Sequence, residues 1–173
     1  MLAIILEMLE QRGYEDIREE KGEITGVRSD ERSGDDRKII VFTDVIQKLN
    51  KEEINTVISK LQKRGLTHGI IIYDGAPTPA IKDVIKEVAN LGIVIEMFHR
   101  EDLAYNCTKN IYVPEHLLLS KEEAKAVKDA VGGGAKLPIM LHTDAISRFY
   151  GYRKGDMVKV IRKGGIVSYR LVR

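Results

Sequence analysis

Cysteine is almost missing from this sequence: Cys107 is the only one in 173 residues. An internal disulfide is therefore impossible, and a cysteine-based zinc site lacks the partners it needs. An intracellular, reducing compartment fits that usage. Long apolar runs are missing too. No stretch approaches the ~18 consecutive apolar residues of a membrane-spanning helix. Met1 to Leu6 are apolar, but no basic leader accompanies them, and Glu7 and Glu10 follow in the same pattern. They read as the opening of an amphipathic helix rather than a signal peptide. No internal repeat or low-complexity tract is evident. With 43% hydrophobic and 31% charged residues, the composition is that of an ordinary globular chain, neither disordered nor membrane-like.

Convergent chemical groups are equally scarce. His68, His99, His116 and His142 are the four histidines, and none stands at metal spacing with another histidine or with Cys107. A lone histidine beside a strand is ordinarily structural. Cys107 reads as a small buried hydrophobe. No glycine-rich phosphate loop follows a strand: Gly75 stands alone in its turn, Gly132–Gly134 follows a helix, and Gly151 to Gly155 lacks the full spacing. One enzymatic alternative is a metal-dependent nuclease, which sets two acids and a lysine around a divalent ion. Glu23, Asp35, Asp36 and Lys38 are its candidates. Asp35 and Asp36, however, sit in a run from Arg28 to Arg37 without a single apolar side chain, which reads as a solvated loop or hairpin tip. No metal, cofactor or catalytic residue is expected.

What is present is a division of charge. The net charge of +2 hides nine Lys/Arg against two Asp/Glu in residues 136–173, and nineteen against twenty-four in residues 1–135. Two modules with different surroundings are implied, the second suited to phosphate or to an acidic protein surface. In the first, Leu2, Ile5, Leu6 and Leu9 recur at helical spacing until Gly13. Ile24 to Val27 and Lys38 to Phe42 read as strands. Asn50 with Glu53 opens a helix bearing Ile54, Val57, Ile58 and Leu61. Gly69 to Tyr73 is a strand buried on both faces. Pro77, Thr78 and Pro79 turn the chain into a helix with Ile81, Val84, Ile85 and Val88 inward, and Ile93 to Phe98 is a further strand. This alternation predicts parallel pairing in one α/β domain over residues 1–105.

Ser120 with Glu123 predicts a capping box and a helix to about Val131, broken by Gly132–Gly134. Residues 106–135 are expected to form a connecting segment and helix, and residues 136–173 a small α+β domain. In the latter, Met157 to Arg162 and Ile166 to Val172 make a hairpin across Gly164-Gly165, with Arg162 and Arg170 facing each other.

Leu137-Pro138, Asp144, Tyr150-Gly151, Lys154-Gly155, Val158 to Arg162 and Ser168-Tyr169-Arg170 follow in order within 37 residues. This block resembles the C-terminal assembly domain of the fifth subunit shared by the eukaryotic nuclear DNA-directed RNA polymerases, a domain similar to the whole of its archaeal counterpart. A second block, Asn106 to His116 with Leu119, Ser120 and Glu122, resembles the segment joining that family's two domains. A weaker match, Gly69 to Tyr73 with Thr78-Pro79, resembles the central strand and adjoining loop of its N-terminal jaw domain. Departures are Ala145 where the family usually has proline, a shorter final hairpin loop, and a compressed region from Asp16 to Lys38.

The resemblance implies a three-layer α/β jaw domain with a mainly parallel, nuclease-like or Rossmann-like core, plus a small α+β assembly domain. It implies a non-catalytic subunit whose assembly domain docks on the largest polymerase subunit while the jaw lies beside downstream duplex DNA. Assembly contacts fall to Pro114, His116, Leu137, Pro138, Asp144, Tyr150, Gly151, Gly155, Arg162, Tyr169 and Arg170. Thr78, Pro79 and Lys82 are expected near DNA. They follow a buried strand and open a helix, where free N–H groups and a lysine suit phosphate. The expected location is the nucleus, or a virion or host cytoplasm for a viral enzyme. Neither membrane nor self-association is expected. A degenerate nuclease-like DNA-binding domain is the alternative.

Overall fold

Helix α1, Leu2–Gln11, turns Ile5, Met8 and Leu9 inward at helical spacing, and Gly13 ends the turn that follows with φ +77°. A computed structural model describes residues 1–29 and 36–173 and divides the chain into two compact units, Met1–Tyr105 and Asn106–Arg173. In the first unit α1 is followed by β1 (Glu15–Glu20), β2 (Glu23–Ser29), β3 (Asp36–Ile46), α2 (Lys51–Lys63), β4 (His68–Tyr73), α3 (Pro79–Asn90) and β5 (Val94–His99). One sheet holds the strands in the order β1-β2-β3-β4-β5. The pairs β3–β4 and β4–β5 are parallel, as the strand–helix–strand alternation predicts. The pairs β1–β2 and β2–β3 are antiparallel, so the sheet is mixed and not mainly parallel. The difference arises at β1. Its sequence, EDIREE, offers no apolar alternation, and its residues are largely exposed. An edge strand with solvent on its free side needs only backbone pairing to one neighbour, so no hydrophobic pattern announces it.

Strand β4 lies between β3 and β5 and is buried on both faces, with Ile70, Ile71 and Ile72 fully covered. On one face Ile40, Phe42, Ile71 and Ile95 pack with Ile54, Val57 and Leu61 of α2 and with Ile81 and Val88 of α3. Gly69 belongs to this contact: a Cβ there would lie 3.1 Å from Leu61 Cδ1, so glycine lets the helix approach. The alternate residues of the same strands form the other face. Arg12, at the C-terminal end of α1, bonds Glu96 of that face and so brings α1 over it. The first unit is a three-layer α/β arrangement. Asn50 caps α2 by accepting from the Glu53 N–H at 2.9 Å, as its spacing predicts. The expected hairpin tip between β2 and β3, with Asp35 of the nuclease alternative, lies outside the described residues.

In the second unit β6 (Glu115–Leu118), α4 (Lys121–Ala130), β7 (Ile139–Met140), α5 (Ala145–Tyr150), β8 (Met157–Ile161) and β9 (Val167–Val172) follow in order. The sheet runs β6-β8-β9-β7. Strand β8 pairs antiparallel with both β6 and β9, and β7 pairs parallel with β9. The core gathers Met140, Tyr152, Val158, Val160 and Val172, with Ile146 and Tyr150 against it. The stretch 106–135, read as a connection, supplies edge strand β6 and helix α4 to this unit. Helix α4 opens with the complete Ser120/Glu123 capping box. Gly151, left-handed at φ +67°, closes α5.

Candidate functional site

One cluster of titratable groups among the described residues of the first unit is internal. Arg12 grips both oxygens of Glu96 at 3.0 and 2.7 Å, and His68 Nε2 lies 2.7 Å from Glu96 Oε1. Tyr14 Oη stands 3.4 Å from His68 Nδ1, and Arg28 donates to the Arg12 carbonyl at 2.7 Å. Burial opposes ionisation of Glu96, but Arg12 and His68 outweigh it and hold the carboxyl well below the usual carboxylate range. Burial pushes the Tyr14 hydroxyl up. With the Arg12 side chain 2% exposed, the network bolts α1 to the sheet rather than facing a substrate. Sequence reading missed it because Arg12 and Glu96 are 84 residues apart. Their only signal is a charged residue inside an otherwise apolar pattern.

Of the nuclease candidates, Glu23 and Lys38 do not converge. Glu23 is taken by Arg64 at 2.6 Å, with Lys60 at 3.8 Å. Lys38 pairs with Val27, whereas Glu23 pairs with Phe42. Four residues therefore separate them along the sheet, roughly 13 Å at strand rise. Among the described residues no group of three or more His, Cys, Asp or Glu can hold a metal ion.

The loop after β4 runs outward. Asp74 accepts from the Gly75 N–H at 3.1 Å and lies 3.6 Å from His99 and 3.8 Å from Arg100. Thr78 is the N-cap of α3 but makes no side-chain capping bond, and Pro79 takes the first helical position. Thr78, Pro79 and Lys82 are all exposed.

The expected assembly residues of the second unit separate into two groups. Leu137 is buried, so its place is the interior, where an apolar side chain is taken out of water by its own unit before any partner arrives. Asp144 caps α5 by accepting from the Ile146 N–H at 2.9 Å. Gly151 and Gly155 hold positive φ angles in turns. Tyr150 stacks on Tyr152 at 5.2 Å. Pro138 and Arg162 are exposed, and Pro114, His116, Tyr169 and Arg170 are half-buried. Arg162 and Arg170 do not face each other. The turn at Gly164-Gly165 sets Arg162 opposite Ile166 and Arg170 opposite Val158.

Register also shows a surface that the apolar patterns concealed. Leu117, Lys159 and Tyr169 form one row across β6, β8 and β9, and Glu115, Ile161 and Val167 form the next. Both rows lie on the face opposite Val158 and Val160, because side chains alternate. Leu117, Val167 and nearby Ile166 are exposed and bordered by Lys159, Arg162 and Lys163.

Residues 105–172 match the family model described as RNA polymerase Rpb5, C-terminal domain. A putative DNA-directed RNA polymerase subunit, 454R of Invertebrate iridescent virus 6, is 33% identical over 98% of this chain and 96% of its own length. This chain belongs to the Rpb5 family of RNA polymerase subunits. Another relative is the DNA-directed RNA polymerases I, II, and III subunit RPABC1 of Caenorhabditis elegans. It is 29% identical over 78% of this chain and 66% of its own length. The similarly named protein of Dictyostelium discoideum is 29% identical over 77% of this chain and 71% of its own. The Rpb5 family match thus falls on the unit that carries the exposed apolar and basic surface.

Proposed function

We propose that this chain is a non-catalytic subunit of a multisubunit DNA-directed RNA polymerase, attached through its second unit to the largest subunit. The observation that carries the reading is the face of exposed Leu117 and Val167 and half-buried Ile161, with Lys159 among them on β8 and Glu115, Arg162 and Lys163 at its border, within the segment that matches the family. Exposed apolar side chains bordered by charge suit a protein interface. The first unit, with its α3 N-terminus and Lys82 exposed, lies beside downstream duplex DNA. It touches phosphate rather than base edges, since N–H groups and a lysine carry no sequence information. The kinds of relative support work in a nucleus, or in a virion or host cytoplasm for a viral enzyme.

The test is co-purification of the tagged full chain from its native cells. The wild-type chain is expected to retain the largest subunit, and the double variant Leu117→Asp, Val167→Asp to lose it while its circular dichroism is unchanged. Retention by the double variant would place docking elsewhere. Absence of any polymerase subunit from the wild-type purification would remove the reading altogether.

A further inference from the structure

Arg170 is half-buried, and its side chain makes no hydrogen bond or ion pair with the described residues. Its guanidinium has no acceptor among the described residues, and a fork of this kind is matched by a carboxylate. Its neighbours do not supply one in bonding contact. Register sets Arg170 in a row with Val158 and Leu118, and the adjacent row is Ser168, Val160 and His116. Arg170 and His116 therefore share one face, on either side of β8. The His116 Nδ1–H donates to the Pro114 carbonyl at 2.7 Å, which fixes the tautomer and leaves Nε2 without a hydrogen-bond partner among the described residues. Tyr152 donates to the His116 carbonyl at 3.2 Å and so holds the strand at this point.

We infer that Arg170 and His116 form a receptor for a carboxylate carried by the polymerase's largest subunit, an Asp or Glu side chain that enters beside edge strand β6. The inference rests on the docking reading above and names the chemistry of one contact within it. The guanidinium offers a fork matched to two carboxylate oxygens. His116 offers Nε2–H once protonated. In the free chain that proton is disfavoured. Burial and Arg170 lower the imidazole pKa, against the Pro114 carbonyl and Asp144 at the start of α5, which raise it. A docked carboxylate adds a negative charge and reverses the balance, so docking takes up a proton. The other side chains of this face, Val158, Val160, Leu118 and Ser168, do not titrate between pH 6 and 8, and the hydroxyls of Tyr150 and Tyr152, packed against it, are pushed further up by burial. Affinity therefore rises as pH falls from 8 towards 6.

The experiment measures affinity of the full-length chain for the purified largest subunit between pH 6 and 8. Arg170→Gln, Arg170→Lys and His116→Gln are compared, with thermal unfolding of each free chain as the control for folding. Arg170→Gln is expected to lose on the order of tenfold to hundredfold in affinity. Arg170→Lys keeps the charge but not the fork and loses an intermediate amount. His116→Gln flattens the pH dependence. Wild-type affinity in Arg170→Gln, or an unaltered pH slope in His116→Gln, would overturn the receptor while leaving docking intact. If the wild-type chain does not bind the largest subunit at any pH, docking and receptor fall together.

Discussion

Glu96 is held by two partners, and removing it leaves a cation with almost no water. The Arg12 side chain is 2% exposed and its partner Glu96 22%. Breaking such a pair from one side typically costs about 3–5 kcal/mol. Glu96 is the less covered member, so about 2–4 kcal/mol is expected for Glu96→Gln in urea denaturation of the full chain. The double change Arg12→Met, Glu96→Leu removes both charges and is expected to cost less than Glu96→Gln alone. A double variant at least as unstable would show that the network contributes more than the repair of a buried charge. The depressed Glu96 carboxyl also has a pH signature. Its folded value lies below the unfolded one, so its contribution is complete above about pH 4.3 and is lost as pH falls further. Glu96→Gln should flatten the acid limb of the stability profile. At this scale the sequence is mute. His68, Arg12 and Tyr14 are unremarkable one at a time, and the network exists only because α1 is folded over β5.

Among the elements, α3 and α4 begin differently. Ser120 opens α4 with a working capping box, while Thr78 opens α3 without a side-chain bond. A working cap is worth about 1 kcal/mol. Ser120→Ala should therefore lower stability by roughly that amount, and Thr78→Ala by distinctly less. The contrast makes Thr78 usable as a functional probe. In the double variant Thr78→Ala, Lys82→Ala, elongation complexes reconstituted with this subunit are expected to dissociate at lower salt than wild type. The effect should be independent of DNA sequence, because phosphate contacts carry the salt dependence. Unchanged salt sensitivity with assembly intact would reduce the Asp74–Lys82 loop to a connection shaped by Pro77 and Pro79.

For the molecule as a whole, two cores predict two folding units. The boundary falls at Tyr105/Asn106. Strand β6 pairs residue by residue with β8 from Glu115 to Leu118. A fragment 106–173 is expected to give dispersed amide NMR signals and a cooperative melt. A fragment 136–173, deprived of β6 and α4, should lack both, since it exposes the β8 edge and uncovers apolar sheet surface. A cooperative melt of 136–173 would show that α5 and the β8–β9 hairpin suffice for that core.

Much of this molecule is local in origin. The amphipathic stripe of α1, the Asn50 and Ser120 caps, the run through Ile70 to Ile72 and the Gly164-Gly165 turn are written in neighbouring residues. Periodicity and capping act over a few positions, so the sequence by itself determined those elements, the α/β character of the first unit and the ordered block Leu137 to Arg170. Tertiary structure alone decided the antiparallel half of the first sheet, the pairing of charged β1, the recruitment of 106–135 into the second unit and the burial of Leu137. It also decided that Arg170 shares a face with His116 across β8 and does not lie opposite Arg162. These depend on register and on which strand ends at an edge. They are set by the joint burial of side chains far apart in the chain, which no local pattern encodes.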